Sequence, residues 1–260
     1  MTRPQPTRAF EWTQAPWGDV LQCRPLAVLA THFFTVKNLR LREDPQEWAA
    51  VAQFAGVDVA DLLLVRQVHE ASVALVSTDR PRPWPQPRAD VVLSSDPAAA
   101  IAVRVADCVP VLLADDTGRA VAAVHAGWRG TARRAVIAAV AALQATCGVR
   151  PERLVAAAGP SIGPCCYEVG QDTREGFRSA GHHAEILEAW FARSGPERFH
   201  LDLWRATRDQ LEGAGVLPQN IHVAELCTRT HGDVFHSYRI EGPAAGRMLG
   251  LVKASPHAGA

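Results

Sequence analysis

The chain has 260 residues, of which 48% are hydrophobic, so it can bury a large core and is expected to fold. Its 27 Lys and Arg residues balance 27 Asp and Glu residues, so no overall charge would hold it on a nucleic acid or an anionic membrane. Apolar stretches such as 101–105, which contains Arg104, and 135–143 fall short of the roughly 20 residues that cross a bilayer. We therefore expect small molecules or other protein chains as partners, with no nucleic acid and no membrane.

The cysteines and the first residues bear on the cellular compartment. Pro and Arg interrupt every apolar run in residues 1–12, so the segment lacks the core of a secretory signal. Six cysteines in a chain of this length do not form a dense disulfide framework. We expect reduced thiols and a cytoplasmic protein.

Strand and helix patterns follow each other along the chain. Helical patterns cover residues 45–54, 131 to about 146, 171–178, 184–192 and 203–213, with Thr131 as a predicted N-cap and Gly148 as a predicted stop. Strands are predicted at 62–65, 72–77, 91–94, 101–105, 110–114, 120–124, 154–158 and 221–224. Several strands are consecutive, which indicates mixed sheets covered by helices.

One segment has the composition of a linker. Alternating prolines in residues 80–88 favour an extended, exposed backbone. Strand patterns flank it on both sides, and no Gly/Ser-rich or charged run separates two cores elsewhere. We interpret the segment as a loop and predict one domain over residues 1–260.

Three residues at strand ends could carry chemistry. His69 follows the first of the central strands, Cys108 lies at a break between two apolar strands, and His125 ends another strand. Each alone is equally consistent with a structural role, as a hydrogen-bonded imidazole or a small buried thiol. Together, two imidazoles and a thiolate suit zinc with an open fourth position, as in catalytic sites.

The residues beside these three could support them. Gln67 and Asp107 could orient a ligand or a bound water, although adjacent strand positions point to opposite faces. Gly127 and Gly130 flank Arg129 where a strand leads into a helix, a pattern that suits an anion such as phosphate. The alternative is a plain turn in which Arg129 pairs with a surface carboxylate. Trp128 is close enough to His125 in sequence to stack on a base.

The loop at residues 159–168 is rich in turn formers, and its amides or the Ser161 hydroxyl could line a pocket. Adjacent Cys165 and Cys166 are interpreted as having no metal, because adjacent cysteines bind one ion poorly and no Cys-x-x-Cys accompanies them. His182 and His183 are assigned to a solvated helix start.

Four segments together resemble one known family. The sequences ADCVPVLLAD, AVHAGWRGT, GPSIGPCCYEVG, and CTRTHGDVFHSYR with AGRM are similar to the YfiH-like family, whose members are labelled multicopper polyphenol oxidase or laccase-domain proteins. The resemblance runs from about residue 64 to the end. It implies an α+β fold, a layered α/β/β/α sandwich with mixed central sheets. It also implies zinc on His69, Cys108 and His125. From the residues themselves we predict catalytic roles for Cys108 and His125 and for the adjacent Asp107 and Gln67.

The resemblance further implies purine nucleoside phosphorylase activity on adenosine and inosine, with methylthioadenosine phosphorolysis and adenosine deamination as further family activities. The partners would then be a purine nucleoside and phosphate, bound by Arg129, Ser161 and Arg239 in a monomer or small homo-oligomer. Phosphate must be held near the ribose carbon, and the departing purine must be stabilised.

Two segments depart from the family pattern. Residues 34–38 read Phe-Thr-Val-Lys-Asn where the family has an arginine followed by glycines, so Lys37, Arg40 or Arg42 would have to substitute. His236 and Ile240 stand where the family has Phe and Arg, which leaves Arg239 as the remaining cation. Without the arginine expected near Thr35, the phosphate is expected to be held mainly by Arg129.

Three other functions stay open. Copper is possible at a His and Cys site, but a laccase needs about ten ligand histidines, usually in His-x-His pairs, and this chain has ten histidines and no such pair. A metal-free thiol hydrolase or deamidase would use Cys108 as the nucleophile and His125 as the base. A non-enzymatic member would keep the metal and lack turnover.

Overall fold

The computed structural model describes residues 3–81 and 83–256. In chain order its strands are β1 (Phe10–Ala15), β2 (Gly18–Cys23), β3 (Thr31–Thr35), β4 (Leu62–Leu64), β5 (Val73–Val76), β6 (Val91–Ser94), β7 (Ala100–Val105), β8 (Val109–Asp115), β9 (Val121–Ala126), β10 (Leu154–Ala158), β11 (Glu168–Gly170), β12 (Phe191–Gly195), β13 (Arg198–Leu201), β14 (Ile221–Val223) and β15 (Met248–Lys253). The α-helices are α1 (Arg24–Ala27), α2 (Pro45–Ala55), α3 (Trp128–Ala132), α4 (Ala135–Cys147), α5 (Gln171–Ser179), α6 (Ala184–Trp190), α7 (Leu203–Gly213) and α8 (Tyr238–Glu241).

The strands form two large mixed sheets and one small sheet. The first sheet has the order β1-β2-β3-β15-β7-β4, with only β4 and β7 parallel. The second has the order β14-β10-β8-β9-β6-β5, in which the two outer pairs are parallel. The third sheet, β11-β13-β12, is antiparallel. The predicted mixed sheets are confirmed.

The two large sheets pack face to face, and helices cover both outer faces. Phe34 and Val103 of the first sheet meet Leu112 and Ala123 of the second in the central core. The residues Phe33, Leu249 and Leu251 face α2 through Val51 and Ala52. Leu113 and Val124 pack against α4 and α7 through Val136, Val140 and Leu211. The layer order is helix, sheet, sheet, helix, as the resemblance implied.

The strand β15, which sequence patterns did not predict, lies near the middle of the first sheet between β3 and β7. Gly250 interrupts its apolar run and lowers its strand propensity. A Cβ at Gly250 would lie 2.9 Å from the Cβ of Pro110 in β8, so glycine allows the two sheets to approach each other. The strands β1 to β3 and the third sheet were also missed.

The predicted helix from Thr131 is wrong at its start. The helix α3 begins at Trp128, and α4 begins after Arg134, whose φ of 62° breaks the two apart. Thr131 therefore lies inside α3, and its buried hydroxyl has no hydrogen-bond partner among the described residues. The predicted helix 184–192 ends at Trp190, and the chain continues directly as β12. In the part of the chain that the structure describes, no helix is both long and apolar enough to cross a membrane.

Candidate metal centre and cavity

His69, Cys108 and His125 meet at one point of the fold. His69 lies in the loop after β4, Cys108 lies between β7 and β8, and His125 lies near the end of β9. Their ligand atoms all lie within 4.8 Å of one another. The imidazole rings of His69 and His125 are nearly perpendicular, with an interplanar angle of 81° and centroids 4.8 Å apart. The predicted ligand set is thus brought together by loops and strand ends of both large sheets.

Asp90 holds two of these residues in position. Its buried carboxylate accepts hydrogen bonds from the backbone amides of Val68, His69 and Glu70, at 3.1, 2.9 and 2.8 Å. The same carboxylate bonds Nδ1 of His125 at 2.7 Å, which leaves Nε2 for a metal. Burial raises the pKa of Asp90, but the hydrogen bonds from His125 and the amides outweigh it and lower the pKa overall.

Cys108 and His125 form an electrostatic pair. Burial raises the pKa of Cys108, but the charge of His125 and hydrogen bonds from both histidines outweigh it and lower the pKa to about 6. Burial lowers the pKa of His125, but the charge of Cys108 and the hydrogen bond to Asp90 raise it to about 9. These shifts favour a Cys108 thiolate beside a His125 imidazolium at neutral pH. A thiolate is the form of cysteine that binds metals.

The space around Cys108 also fits a metal site. A Cβ at Gly127 would lie 2.8 Å from Sγ of Cys108 and 3.6 Å from Cδ2 of His69, so a larger residue would crowd the ligand atoms. Two imidazole nitrogens and one thiolate are a donor set that zinc accepts, and a carboxylate that bonds the other ring nitrogen, as Asp90 bonds Nδ1 of His125, is typical of zinc-bound histidines. The residues present therefore fit a zinc ion.

The three residues open into a cavity of about 900 Å³. Among the described residues, five arginines line it, namely Arg42, Arg66, Arg104, Arg239 and Arg247. Only two acidic residues, Glu43 and Asp107, lie among the lining residues, and both carboxylate oxygens of Asp107 already accept hydrogen bonds. The cavity is thus strongly positive and suits an anionic ligand.

Three of the arginines influence one another. Burial and the charge of Arg247 lower the pKa of Arg104, and burial and the charge of Arg42 lower the pKa of Arg247. Arg42 and Arg247 both donate to the carbonyl of Ala245, which fixes their guanidinium groups near each other. The Arg104 guanidinium has no hydrogen bond or ion pair within residues 3–81 and 83–256 and is available to a ligand. An anion bound here would relieve the repulsion.

Gln67 and Asp107 line the cavity, but their polar atoms make other contacts. The amide of Gln67 exchanges two hydrogen bonds of 2.8 Å with the backbone of Arg104. Asp107 accepts from the Thr228 hydroxyl and from the backbone amide of Arg239, so it ties the loop to the C-terminal segment. Neither makes the contact to a ligand imidazole that Asp90 makes, and their catalytic roles stay predictions.

The predicted substrate contacts divide into two groups. Arg239 lines the cavity, where its guanidinium lies 5.3 Å from the ring of Tyr167. Arg129 is exposed, lies over the Trp128 ring at 4.4 Å, and is not a lining residue. Ser161 is fully buried and accepts a hydrogen bond from the Trp204 indole, so its hydroxyl does not reach the cavity. The placements of Arg129 and Ser161 therefore differ from those expected, because each side chain packs on a tryptophan.

Trp128 likewise packs into the outer core against Phe177, with 6.5 Å between ring centroids, and is not a lining residue. Of the three cations considered as substitutes for the missing arginine, only Arg42 lines the cavity. The ammonium of Lys37 is paired with Glu241, and the guanidinium of Arg40 donates to the carbonyl of Ala244.

Sequence patterns missed four residues of the site, namely Asp90, Arg104, Arg247 and Tyr167. Asp90 directly precedes the buried strand β6, and an acid at a strand end beside a predicted metal site was the available signal. Arg104 is the one exposed position of the otherwise buried β7. Arg247 lies within the AGRM segment, where no residue was assigned a role. Tyr167 lies within the loop that was assigned to the pocket.

The fold and site define an α+β protein with a candidate His-Cys-His metal centre inside an arginine-lined cavity. Residues 44–255 match the family described as multi-copper polyphenol oxidoreductase laccase. The chain is 39% identical over 210 residues to a purine nucleoside phosphorylase of Deinococcus radiodurans, covering 81% of this chain and 76% of that protein. It is 35% identical over 206 residues to adenosine deaminase RL5 from an unknown prokaryotic organism, covering 76% and 77%.

The fold matches a solved structure over almost its whole length. The crystal structure of the Bacillus licheniformis hypothetical protein YfiH superposes with a TM-score of 0.84 and 26% identity, covering 95% of this chain and 100% of that one. The chain therefore belongs to the multi-copper polyphenol oxidoreductase laccase family, and the YfiH-like resemblance is confirmed.

Proposed function

We propose that this protein is a zinc-dependent purine nucleoside phosphorylase acting on adenosine and inosine, with methylthioadenosine as a further candidate substrate. The observation that carries the proposal is that the cavity containing His69, Cys108 and His125 also contains an arginine cluster able to bind phosphate. The names of similar proteins, among them the Deinococcus radiodurans phosphorylase, support the same reaction.

His69, Cys108 and His125 would hold the zinc ion, with Asp90 fixing the tautomer of His125. Zinc bound there would act as a Lewis acid and acidify a bound water or stabilise negative charge on a departing base. The buried carboxylate of Asp90 also fixes the turn at residues 68–70, so it keeps His69 directed at the same point as Cys108.

Phosphate would bind at Arg42, Arg104 and Arg247. Three neighbouring guanidinium groups offer several N–H donors to the oxygens of an anion, and the charge repulsion of Arg247 with Arg104 and with Arg42 favours a bound anion. Arg129, which the sequence favoured for this task, stacks on Trp128 outside the cavity lining. We therefore assign the phosphate to the cavity arginines, which substitute for the arginine missing near Thr35.

The nucleoside would lie between the metal centre and the aromatic wall of the cavity. Tyr167 and Tyr238 both line this space, and an aromatic ring offers a stacking surface to a purine. The Arg239 guanidinium lies over the Tyr167 ring and donates to the carbonyl of Glu168, which holds that wall in place. Positioning of both reactants near each other would supply much of the rate enhancement.

Adenosine deamination is a second candidate, favoured by the similarity to adenosine deaminase RL5 and by the same donor set. It needs a water activated near the purine amino group and needs no phosphate. The two reactions are thus distinguished by their dependence on phosphate.

The test is incubation of metal-quantified protein with adenosine or inosine, with and without phosphate, while free base and ammonia are measured. Phosphorolysis predicts base release that requires both phosphate and bound zinc. Ammonia release from adenosine without phosphate would support deamination as well. Absence of both products from zinc-loaded protein would overturn the proposal.

Two control measurements address the alternatives. Several copper ions per chain with turnover of phenols would support a polyphenol oxidase. The paired thiolate and imidazolium of Cys108 and His125 would support a thiol hydrolase only if metal-stripped protein stays active and an alkylating agent abolishes that activity.

A further inference from the structure

A second group of sulfur atoms lies outside the His-Cys-His set. Cys165 and Cys166 lie in the loop between β10 and β11, and Cys227 follows β14. The two segments are adjacent because β10 and β14 pair in parallel and a further bridge joins Ser161 to Cys227. The three Sγ atoms lie within 4.8 Å of one another. In the sequence only Cys165 and Cys166 are adjacent, and the fold brings Cys227 to them.

Two hydrogen-bond donor groups lie beside these sulfur atoms. The backbone amide of Gly163 donates to Sγ of Cys227 at 3.3 Å. The hydroxyl of Thr230 lies 3.6 Å from Sγ of Cys165 and 3.4 Å from Sγ of Cys166. All three cysteines are free thiols. An amide and a hydroxyl that can donate to sulfur stabilise thiolates, which are the form that coordinates metals.

The burial of the group leaves one side open. Cys227 is buried, Cys166 is half-buried and Cys165 is exposed, so an ion could reach the sulfur atoms from solvent. Thiolates select soft closed-shell ions such as Zn²⁺ and Cu⁺, and tetrahedral or trigonal coordination places the sulfur atoms about 4 Å from each other. Sulfur atoms within 4.8 Å of one another already approach that arrangement.

We propose that Cys165, Cys166 and Cys227 form a second metal site, which binds a soft closed-shell ion, Zn²⁺ or Cu⁺, through three thiolates. The site uses none of the residues of the His69, Cys108 and His125 set, so it does not rest on the proposed function. Tyr167 lines the cavity and is the next residue after Cys166. An ion bound to the three sulfurs would fix the loop that carries this aromatic wall.

The test uses the full chain, reduced, stripped of metal and kept under nitrogen. It is titrated with Zn²⁺ in one arm and with Cu⁺ in another, and bound metal per chain is measured by native mass spectrometry. The double variant Cys165→Ser and Cys166→Ser is expected to bind about one ion fewer than the wild type in at least one arm. The arm in which the difference appears identifies the ion.

Two further variants separate this site from the first. His69→Ala removes a ligand of the other set and is expected to keep the ion that the double variant loses. Cys147→Ser removes a half-buried thiol of α4 and is expected to bind as the wild type does. Thermal unfolding checks that each variant is folded, and the two substituted cysteines are not buried.

Equal metal binding by the wild type and the folded double variant, in both arms, would overturn the proposal. A disulfide joining Cys227 to Cys165 or Cys166 in protein purified under nitrogen would also overturn it. Neither result would bear on phosphorolysis, which is measured separately.

Discussion

At the scale of single residues, the candidate site depends on a carboxylate that touches no metal. Asp90 accepts hydrogen bonds from three consecutive amides and bonds the ring of His125. One buried side chain thus fixes the position of His69, in the loop after β4, relative to His125 in β9. Its hydrogen bond to Nδ1 makes Nε2 the free nitrogen. The relative positions of His69 and His125 therefore depend on Asp90, which is not one of the three candidate ligands.

Asp90→Asn is expected to weaken zinc binding by about 10- to 100-fold, because the amide cannot supply the negative charge that makes His125 a better ligand. The measurement is competition with a chelator of known affinity. Asp116→Asn serves as the control, since Asp116 forms an exposed pair with Arg153 and is expected to leave zinc binding unchanged. Equal zinc affinity in wild type and Asp90→Asn would contradict this role.

Arg104→Gln is expected to raise the KM for phosphate by about 10- to 100-fold with a smaller effect on the KM for nucleoside, because a charge-assisted hydrogen bond is lost. The measurement is initial-rate kinetics with each substrate varied in turn. Arg129→Gln provides the comparison, as its guanidinium lies over Trp128. A larger phosphate effect in Arg129→Gln than in Arg104→Gln would return the phosphate to the position that the sequence favoured.

The sequence could predict the grouping of His69, Cys108 and His125 but not the cation set. His69, Cys108 and His125 stand in recognisable segments at strand ends, and the fold does bring them together. Arg42, Arg104 and Arg247 come from three distant segments and meet only in the folded chain. No spacing rule links them, because contacts between loops of different strands have no fixed separation in sequence. The role of Asp90 was not predicted for the same reason.

At the scale of elements, most strands with continuous apolar runs were predicted, whereas β15, which Gly250 interrupts, and the mixed hairpin of β1 and β2 were missed. The strands β8, β9 and β10 are buried throughout and their positions are confirmed. The hairpin of β1 and β2 mixes buried and half-exposed positions without strict alternation, so its pattern resembles a loop. Helix α7 has its predicted bounds, because its apolar residues recur at helical spacing and Asp202 caps it.

His32 of β3 links two strands through its neutral ring. Its Nε2 accepts from the backbone amide of Cys23 at 2.8 Å, and burial lowers its pKa to about 4 although the bond to Ala30 opposes this. The unfolded chain, with an ordinary pKa near 6.5, binds the proton more readily, so stability is full above that pH and falls as the pH drops towards 4.

Between pH 7 and pH 5, the titration of His32 is expected to lower the free energy of unfolding by about 2 kcal/mol. Urea unfolding at each pH measures the change. His32→Gln, which keeps an acceptor and cannot titrate, is expected to lose that part of the pH dependence. The control His183→Gln changes an exposed histidine and is expected to retain the pH dependence of the wild type. The same pH dependence in His32→Gln and the wild type would show that His32 is not its source.

At the scale of the whole molecule, the interior is divided by the two large sheets into three cores. The central core draws on segments from Phe10 to Ala254, so it joins the two ends of the described chain. Phe34 is among its largest fully buried side chains and reaches the backbone of β15. The close packing of the two sheets also sets the distance between His69, which follows β4 of the first sheet, and His125 in β9 of the second.

Phe34→Ala is expected to lower the free energy of unfolding by about 3–5 kcal/mol, because a large ring is lost between two sheets that cannot collapse onto the space. Urea denaturation measures the loss. Val28→Ala changes a side chain that is 83% exposed and is expected to leave stability within about 0.5 kcal/mol of the wild type. A loss below about 1 kcal/mol for Phe34→Ala would mean that the sheets do rearrange.

The position of β15 has a consequence for biosynthesis. Because β15 separates β3 from β7, the N-terminal hairpin cannot join the rest of its sheet until residue 253 has left the ribosome. Until then, both β3 and β7 present unpaired edges of the kind that attract other chains. Ribosome-bound chains that end before residue 248 should therefore depend on chaperones, and the arginines around the cavity cannot assemble before Arg247 has emerged.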